Sequence, residues 1–351
     1  MRYGLSSSNR QDFADRTCFP AQSSVLDEEA LLRRVVPEYD RPEPTSCTFF
    51  SRGDSDVYQV RTVGPTYYLK VYRPPNPTIP EAEAEARLVR SLAEHGASVV
   101  TAVPRKDGSF ASRIDASEGP RAALLFEEAP AGVFEPDDAR ACYRLGSAVA
   151  TLHAAGDRGE GKPEVAWGRA ALLPFAQRLA YEEDYAELCR ILERMEARLE
   201  VYPDAAAEHD VGWCHCDLVL SNIRCREDGA IVFFDFGNAQ YVSRAQEFAR
   251  VHRTLSAGTD ASLRETRWAG FLEGYAQIRP VHESFADADR LRAVGTIQRI
   301  GWIGSVMATC PLRMGTETFN RDWVRTQLQG IRESVAQLED TRPETPAAGA
   351  G

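Results

Sequence analysis

Between residues 215 and 237 the chain carries His-x-Asp-x-x-x-x-Asn, an apolar strand and Asp-Phe-Gly, in that order. The first part is His215-Cys216-Asp217-Leu218-Val219-Leu220-Ser221-Asn222, and the last is Asp235-Phe236-Gly237. Gly229-Ala230-Ile231-Val232-Phe233-Phe234 reads as the strand, entered through the turn residues Glu227-Asp228-Gly229. This spacing confines what the segment can fold into. A loop must turn Asp217 one way and Asn222 back the other, and the strand must then carry Asp235 to the same point as Asn222. A carboxylate, an amide and a second carboxylate so arranged can hold Mg²⁺–ATP and place a hydroxyl in line with the γ-phosphate. His-x-Asp alone is common by chance; all the parts in register are not.

The amino-terminal half supplies complementary groups. The chain has three lysines, Lys70, Lys106 and Lys162, against many arginines. Lys70 sits in Thr66-Tyr67-Tyr68-Leu69-Lys70-Val71-Tyr72, an aromatic and branched run that reads as a strand. A lysine on such a strand can reach the α- and β-phosphates of a nucleotide. The alternative is an edge-strand lysine facing water. Upstream, Thr48–Val60 reads strand, tight polar loop, strand, with Ser51, Gly53 and Ser55 in the loop. The backbone N–H groups of such a loop can fold over phosphates, although an ordinary hairpin turn has the same composition. After the breakers Pro74-Pro75-Asn76-Pro77, Ile79–Ala93 has helical composition and an acidic start. Among Glu81, Glu83 and Glu85, the last shares a helical face with Val89 and Leu92 and is the expected partner of Lys70. Glu81 and Glu83 are expected on the solvated face. Ala122–Gly132 reads as an apolar strand running into a Pro/Gly break. In a two-lobed kinase this is where a hinge would pass the adenine, using main-chain groups of about Glu127 to Ala129.

On these residues the chain resembles the aminoglycoside phosphotransferase-like kinases, which include antibiotic, homoserine, fructosamine and choline kinases and a bacterial stress-response kinase. The resemblance runs from about Leu26 to Leu338. It rests on Leu69–Arg73, Glu85 with its helix, Leu125–Gly132, Leu145–His153 and the His215–Asn222 and Asp235–Gly237 motifs. It implies an α+β, two-lobed, protein-kinase-like fold, with a small antiparallel β-sheet N-lobe and a mostly helical C-lobe. It further implies that Lys70 is the phosphate lysine, Glu85 its partner, Asp217 the catalytic aspartate, and Asn222 and Asp235 the magnesium ligands. The chain departs from the family pattern in four places. Cys216 stands where Gly usually follows the histidine, and Val219-Leu220-Ser221 replaces His-Pro-Gly. Asn238 replaces an aspartate after Asp-Phe-Gly, and Glu247-Phe248-Ala249 replaces Asp-Leu-Ala. No Ala-Pro-Glu follows Asp-Phe-Gly, which disfavours eukaryotic-type protein kinases.

The chain of 351 residues, 43% hydrophobic, is long enough for two lobes. The expected division is a poorly ordered segment over 1–25, an N-lobe over 26–130, a C-lobe over 131–339 and a poorly ordered tail over 340–351. Within it, Asp27–Val36 reads as a leading helix. Apolar residues recur at helical spacing in Leu173–Leu199, Phe248–Leu255, Leu263–Ile278, Ala288–Met307 and Trp323–Leu338. No apolar run approaches the ~20 residues of a membrane span, and the first residues do not read as a secretory signal. A cytoplasmic protein with reduced cysteines is expected. Cys214, His215, Cys216 and Cys225 lack zinc-site spacing and read as small buried groups and a loop buttress. A net charge of −11 without a basic run argues against nucleic acid.

The expected activity is ATP- and Mg²⁺-dependent phosphate transfer to a hydroxyl of a small molecule, an antibiotic, amino alcohol or sugar. Transfer to Ser/Thr of a peptide or protein partner is the alternative, and a silent kinase-fold binding protein a third. Acceptor contacts are expected from Leu263–Gln277 and Ala288–Met307. Glu182-Glu183-Asp184 could line a site for a cation, though such runs are more often a solvated face.

Overall fold

The computed structural model describes residues 21, 24–53, 55–73, 77–159, 186–187, 189–191, 193–194, 210–282, 285, 287–309, 326–333 and 335–336. The expectations for 1–25 and 340–351 fall almost entirely outside these residues, as do those for Leu173–Leu199 and Glu182-Glu183-Asp184. The chain forms two compact units. One runs to Ala86 and takes in Ala102–Glu128; the other holds Arg87–Thr101 and the chain from Ala129 onward.

The first unit is built on five antiparallel strands: β1 (Pro44–Arg52), β2 (Ser55–Thr62), β3 (Thr66–Tyr72), β4 (Ser112–Ala116) and β5 (Gly119–Glu127), in the order β1-β2-β3-β5-β4. Side chains alternate across a strand, and β3 shows the consequence. Leu69 and Val71 are fully buried on one face with Tyr58, Val60 and Leu125, under Leu31 and Val35 from helix α1 (Glu28–Arg34) and its end. On the other face Tyr72 and Leu124 pack with Ala82 and Ala86 of helix α2 (Ile79–Glu94). Lys70 therefore points to the α2 face. α1 begins where expected, because Asp27 accepts from the N–H of Ala30 at 2.8 Å and caps the helix. Glu81 reaches back to the start of α2, accepting from the N–H of Thr78 at 2.6 Å and from its hydroxyl at 2.7 Å. Glu83 corrects the expected solvated face: it accepts from the N–H groups of Phe110 and Ala111, each at 2.8 Å. Two backbone donors ahead of β4 need an acceptor, and a carboxylate one turn into the helix supplies it.

In the second unit helix α3 (Ala139–Arg158) lies against a later helix that the next strands lead to. β6 (Gly132–Val133), β8 (Ile223–Cys225) and β9 (Ile231–Phe233) form one small sheet, and β7 (Val211–Cys214) pairs with β10 (Gln240–Ser243). Residues 98–100 join the first of these, since Phe233 donates to Ser98 O and accepts from the N–H of Val100, both at 3.0 Å. Helices α4 (Ala245–Ser256), α5 (Ala261–Ala276) and α6 (Ala288–Thr309) follow. α3 and α5 approach closely because glycine lines the contact: a Cβ on Gly146 would lie 2.0 Å from Phe271 O. Phe248 of α4 is fully buried at the centre of an aromatic cluster with Trp268, Phe271, Tyr275 and Phe285. Among the described residues, no helix is long and apolar enough to cross a membrane.

Candidate active site

In the first unit the expected lysine and glutamate meet. Lys70 Nζ lies 3.2 Å from Glu85 Oε1, with both side chains largely buried. Tyr72, two residues along the same face of β3, donates to Glu85 Oε2 at 2.6 Å, and Lys70 sits over the Tyr72 ring, 4.7 Å from its centroid. Burial raises the Tyr72 phenol well above its ordinary value, so it stays a proton donor. Tyr72 stands out in the sequence only through strand alternation from Lys70, which puts it on the same face.

Ser51, Gly53 and Ser55 sit at the β1–β2 hairpin. Ser51 and Gly53 are exposed and Ser55 is buried, paired across the sheet with Tyr72. Arg73 donates to Gly53 O, while Asp56 at the hairpin base accepts from Arg52 Nε at 2.8 Å and from the buried Arg121 at 2.7 Å. The tip is thus carried on a braced base. Glu127 ends β5, and Glu128 to Pro130, including Ala129, have no regular structure.

In the second unit the loop after β7 presents Asp217. His215 is buried, and its Nε2 lies 3.0 Å from Phe234 O. Its Nδ1 accepts from the N–H of Asp217 at 3.3 Å. These partners assign a neutral ring protonated at Nε2. Burial lowers its pKa, only partly offset by the Phe234 carbonyl and the Asp217 and Asp235 charges. The ring ties the loop to the end of β9, immediately before Asp235. Asn222 donates from Nδ2 to Asp217 O at 3.0 Å and to Asp217 Oδ2 at 3.2 Å. Asn222 O accepts from the N–H of Phe234 at 3.3 Å, and Ile223 pairs with Phe233. The β8–β9 hairpin therefore brings Asn222 to the level of Phe234, next to Asp235. Asp235 has φ 66°, a left-handed conformation uncommon outside glycine. Strain of that kind collects at functional sites.

Three further residues complete this half. Arg250 of α4 forms an ion pair with Asp217 Oδ1, and Asn238 donates to Oδ2 at 3.5 Å. Glu247, fully buried one turn before Arg250, accepts through Oε2 from the N–H groups of His215 and Cys216, the latter at 3.2 Å. Cys216 has φ 62°, which helps turn both N–H groups towards one acceptor. Burial pushes the Glu247 carboxyl up to about 7, against the pull of those N–H groups and of Arg250. His153 Nε2 lies 3.9 Å from Glu247 Oε2, while its Nδ1 is 2.9 Å from Tyr275 Oη. Burial, with the Arg244 and Arg279 charges behind it, keeps His153 neutral. Glu247 stands in the Glu-Phe-Ala segment noted in the sequence, so its position was legible but not its role. Arg250, one helical turn further, was missed.

The donor set fits a hard divalent cation. Asn222 commits its amide nitrogen to Asp217, while its Oδ1, which accepts from Ser221 Oγ at 3.5 Å, keeps a lone pair for a metal, and Asp235 adds a carboxylate; magnesium is bound by such oxygens.

An antiparallel sheet bearing a lysine–glutamate pair, with a helical unit bearing an aspartate loop and an Asp-Phe-Gly turn, defines a kinase-like fold. The chain belongs to the phosphotransferase enzyme family, whose model matches residues 46–281. Its kinase-like fold and its family together define a phosphotransferase. An uncharacterized protein of Deinococcus radiodurans is 31% identical over 326 residues, covering 90% of this chain and 92% of that protein. An amicoumacin kinase solved with AMP-PNP and Ca²⁺ has the same fold, at TM-score 0.69 and 18% identity, covering 92% of this chain and 96% of the other. A microcompartment-associated aminopropanol kinase matches at TM-score 0.68 and 19% identity, over 89% of this chain and 98% of the other.

Proposed function

We propose that this protein is a cytoplasmic, ATP- and Mg²⁺-dependent kinase that phosphorylates a hydroxyl of a small molecule. The observation that carries this reading is the bridge from Asn222 to Asp217, with Asn222 brought beside Asp235 by the β8–β9 hairpin. Family membership supports it, as does the likeness in fold to kinases named for amicoumacin and aminopropanol.

In this reading Lys70 binds the nucleotide phosphates and Glu85 fixes its ammonium, itself held by Tyr72. The backbone of Ser51 to Ser55 covers the phosphates, and main-chain groups from Glu127 to Ala129 meet the adenine. Asn222 and Asp235 hold magnesium, which when bound neutralises charge on the β- and γ-phosphates. Asp217 accepts the hydrogen bond of the acceptor hydroxyl and takes its proton as the oxygen attacks phosphorus. The neutral His215 and the carboxyl of Glu247 keep the loop in shape, so that most of the catalysis is positioning. The test is transfer of labelled γ-phosphate from ATP to a panel of hydroxyl compounds, with and without Mg²⁺, in the wild type and Asp217→Asn. Metal-independent turnover, or equal turnover by both proteins, would sink the assignment.

A further inference from the structure

Both oxygens of the Asp217 carboxylate are engaged. Oδ2 accepts from Asn222 and Asn238, on the side of the residues assigned to the metal. Oδ1 is taken by the guanidinium of Arg250. Oδ1, with one contact against two at Oδ2, is the oxygen better placed to receive an arriving hydroxyl, and a hydroxyl arriving there meets Arg250. Arg250 is poorly placed to give way at no cost. Its side chain is mostly buried, its Nε has no hydrogen-bond partner among the described residues, and Asp217 is the acid it pairs with. Glu247, one turn earlier on α4, has its Oε2 turned to the loop N–H groups instead. A second guanidinium, Arg299 of α6, is close enough to oppose Arg250 electrostatically. Its pKa is lowered by burial first and then by Arg250, against the attraction of Glu333, and it donates to Gln327 Oε1 at 2.9 Å.

A cationic or neutral acceptor that displaced Arg250 would leave this largely buried guanidinium only Glu247, whose carboxyl burial holds towards the neutral form, and a buried charge so poorly matched is costly. An acceptor carrying its own anion beside the hydroxyl would receive the guanidinium as Asp217 releases it, and arginine suits carboxylate and phosphate oxygens. We propose that Arg250 is an acceptor-recognition residue and that the acceptor bears a carboxylate or phosphate next to the hydroxyl it presents to Asp217. The exchange is one of partners only: Arg250 passes from Asp217 to the acceptor's anion, and Asp217 gains the hydroxyl proton during transfer. This rests on the phosphotransfer reading above and narrows its substrate class.

The test uses three acceptors of one carbon skeleton and different charge: glycerate, glycerol and 2-amino-1,3-propanediol. Binding to the full-length protein saturated with Mg²⁺–ADP is measured calorimetrically, and kcat and KM for transfer are measured with ATP. The wild type should favour glycerate over the other two by about tenfold or more, a typical worth for one charge-assisted contact. Arg250→Gln should erase that preference, chiefly through Kd and KM, and Arg250→Lys should keep part of it. Because each preference is a ratio within one protein, general damage to the fold cancels. No glycerate preference in the wild type would overturn the proposal. So would an equal loss across all three acceptors in Arg250→Gln, which would place Arg250 on the transferring phosphoryl group. Failure to bind Mg²⁺–ADP at all would instead count against the phosphotransfer reading, so the two failures are distinguishable.

Discussion

Tyr72 Oη donates to Glu85 at 2.6 Å, and this hydrogen bond leaves the other carboxylate oxygen facing Lys70 Nζ at 3.2 Å. A strand residue thereby fixes the rotamer of a helix carboxylate, and the carboxylate fixes the ammonium. Removing the tyrosine hydroxyl releases one link of the chain without touching either charge.

Tyr72→Phe should therefore weaken ATP binding modestly, by roughly fivefold in Kd, the worth of about 1 kcal/mol for one hydrogen bond. Glu85→Gln should weaken it more, since the ammonium then loses its ionic partner. Titration with a fluorescent ATP analogue measures both. If Tyr72→Phe bound ATP as tightly as the wild type, Tyr72 would have no part in positioning Lys70.

Asp217→Ala should lower kcat by roughly 10²–10⁴, the range for losing a positioned acid–base group, with ATP affinity little changed. Steady-state kinetics on an accepted substrate decide the point. Turnover near that of the wild type would remove Asp217 from the chemistry.

Glu247 gives a prediction with a definite sign. Burial raises its carboxyl from the ordinary glutamate value, near 4.5, to about 7. The folded protein then binds this proton more tightly than the unfolded chain does. The stabilisation is complete below about pH 4.5 and is lost as pH rises through 7. The groups that face it, His153, Cys214, Arg250 and Asp217, are unchanged in Glu247→Gln, which keeps a neutral acceptor at every pH. The stability gap between variant and wild type should thus move in favour of the variant by up to about 3 kcal/mol between pH 4.5 and 8. Urea denaturation at several pH values would show it, and a gap that stays flat would show that Glu247 does not titrate in this window.

Much of this could be read from the residues, and the reasons are local. The strand with Lys70, the helix with Glu85 and the Asp217–Asp235 spacing each follow from short-range pattern. What was not legible depends on contacts far apart in the chain. Glu83 reads as surface because its acceptor role is set by the N–H groups of Phe110 and Ala111, 27 and 28 positions away. Arg250 reads as one more arginine in an arginine-rich helix, since its partner lies 33 positions earlier. Assignment of Arg87–Thr101 to the second unit likewise follows from the pairing of residues 98–100 with Phe233, which no local pattern announces.

The contact of α3 with α5 is fixed by such distant partners too, and it can be tested without any ligand. Gly146 lies in the Leu145–His153 segment, and a Cβ there would sit 2.0 Å from Phe271 O and 2.8 Å from Tyr275 N. Across the contact, a Cβ on Gly274 would sit 1.9 Å from Tyr143 O. These obstacles are backbone atoms of helices, which cannot turn aside as a side chain can. Either Gly146→Ala or Gly274→Ala must push the helices apart and disturb the cluster around Phe248, where overpacking costs about 1–3 kcal/mol or more. Both should lower the melting temperature by several degrees, and the double variant should lose less than the sum, because one separation relieves both clashes. Calorimetry measures all three. Strict additivity would show that the two glycines act on separate contacts, and an unchanged melting temperature in either single variant would show that the helices do not meet as closely as their backbones lie here.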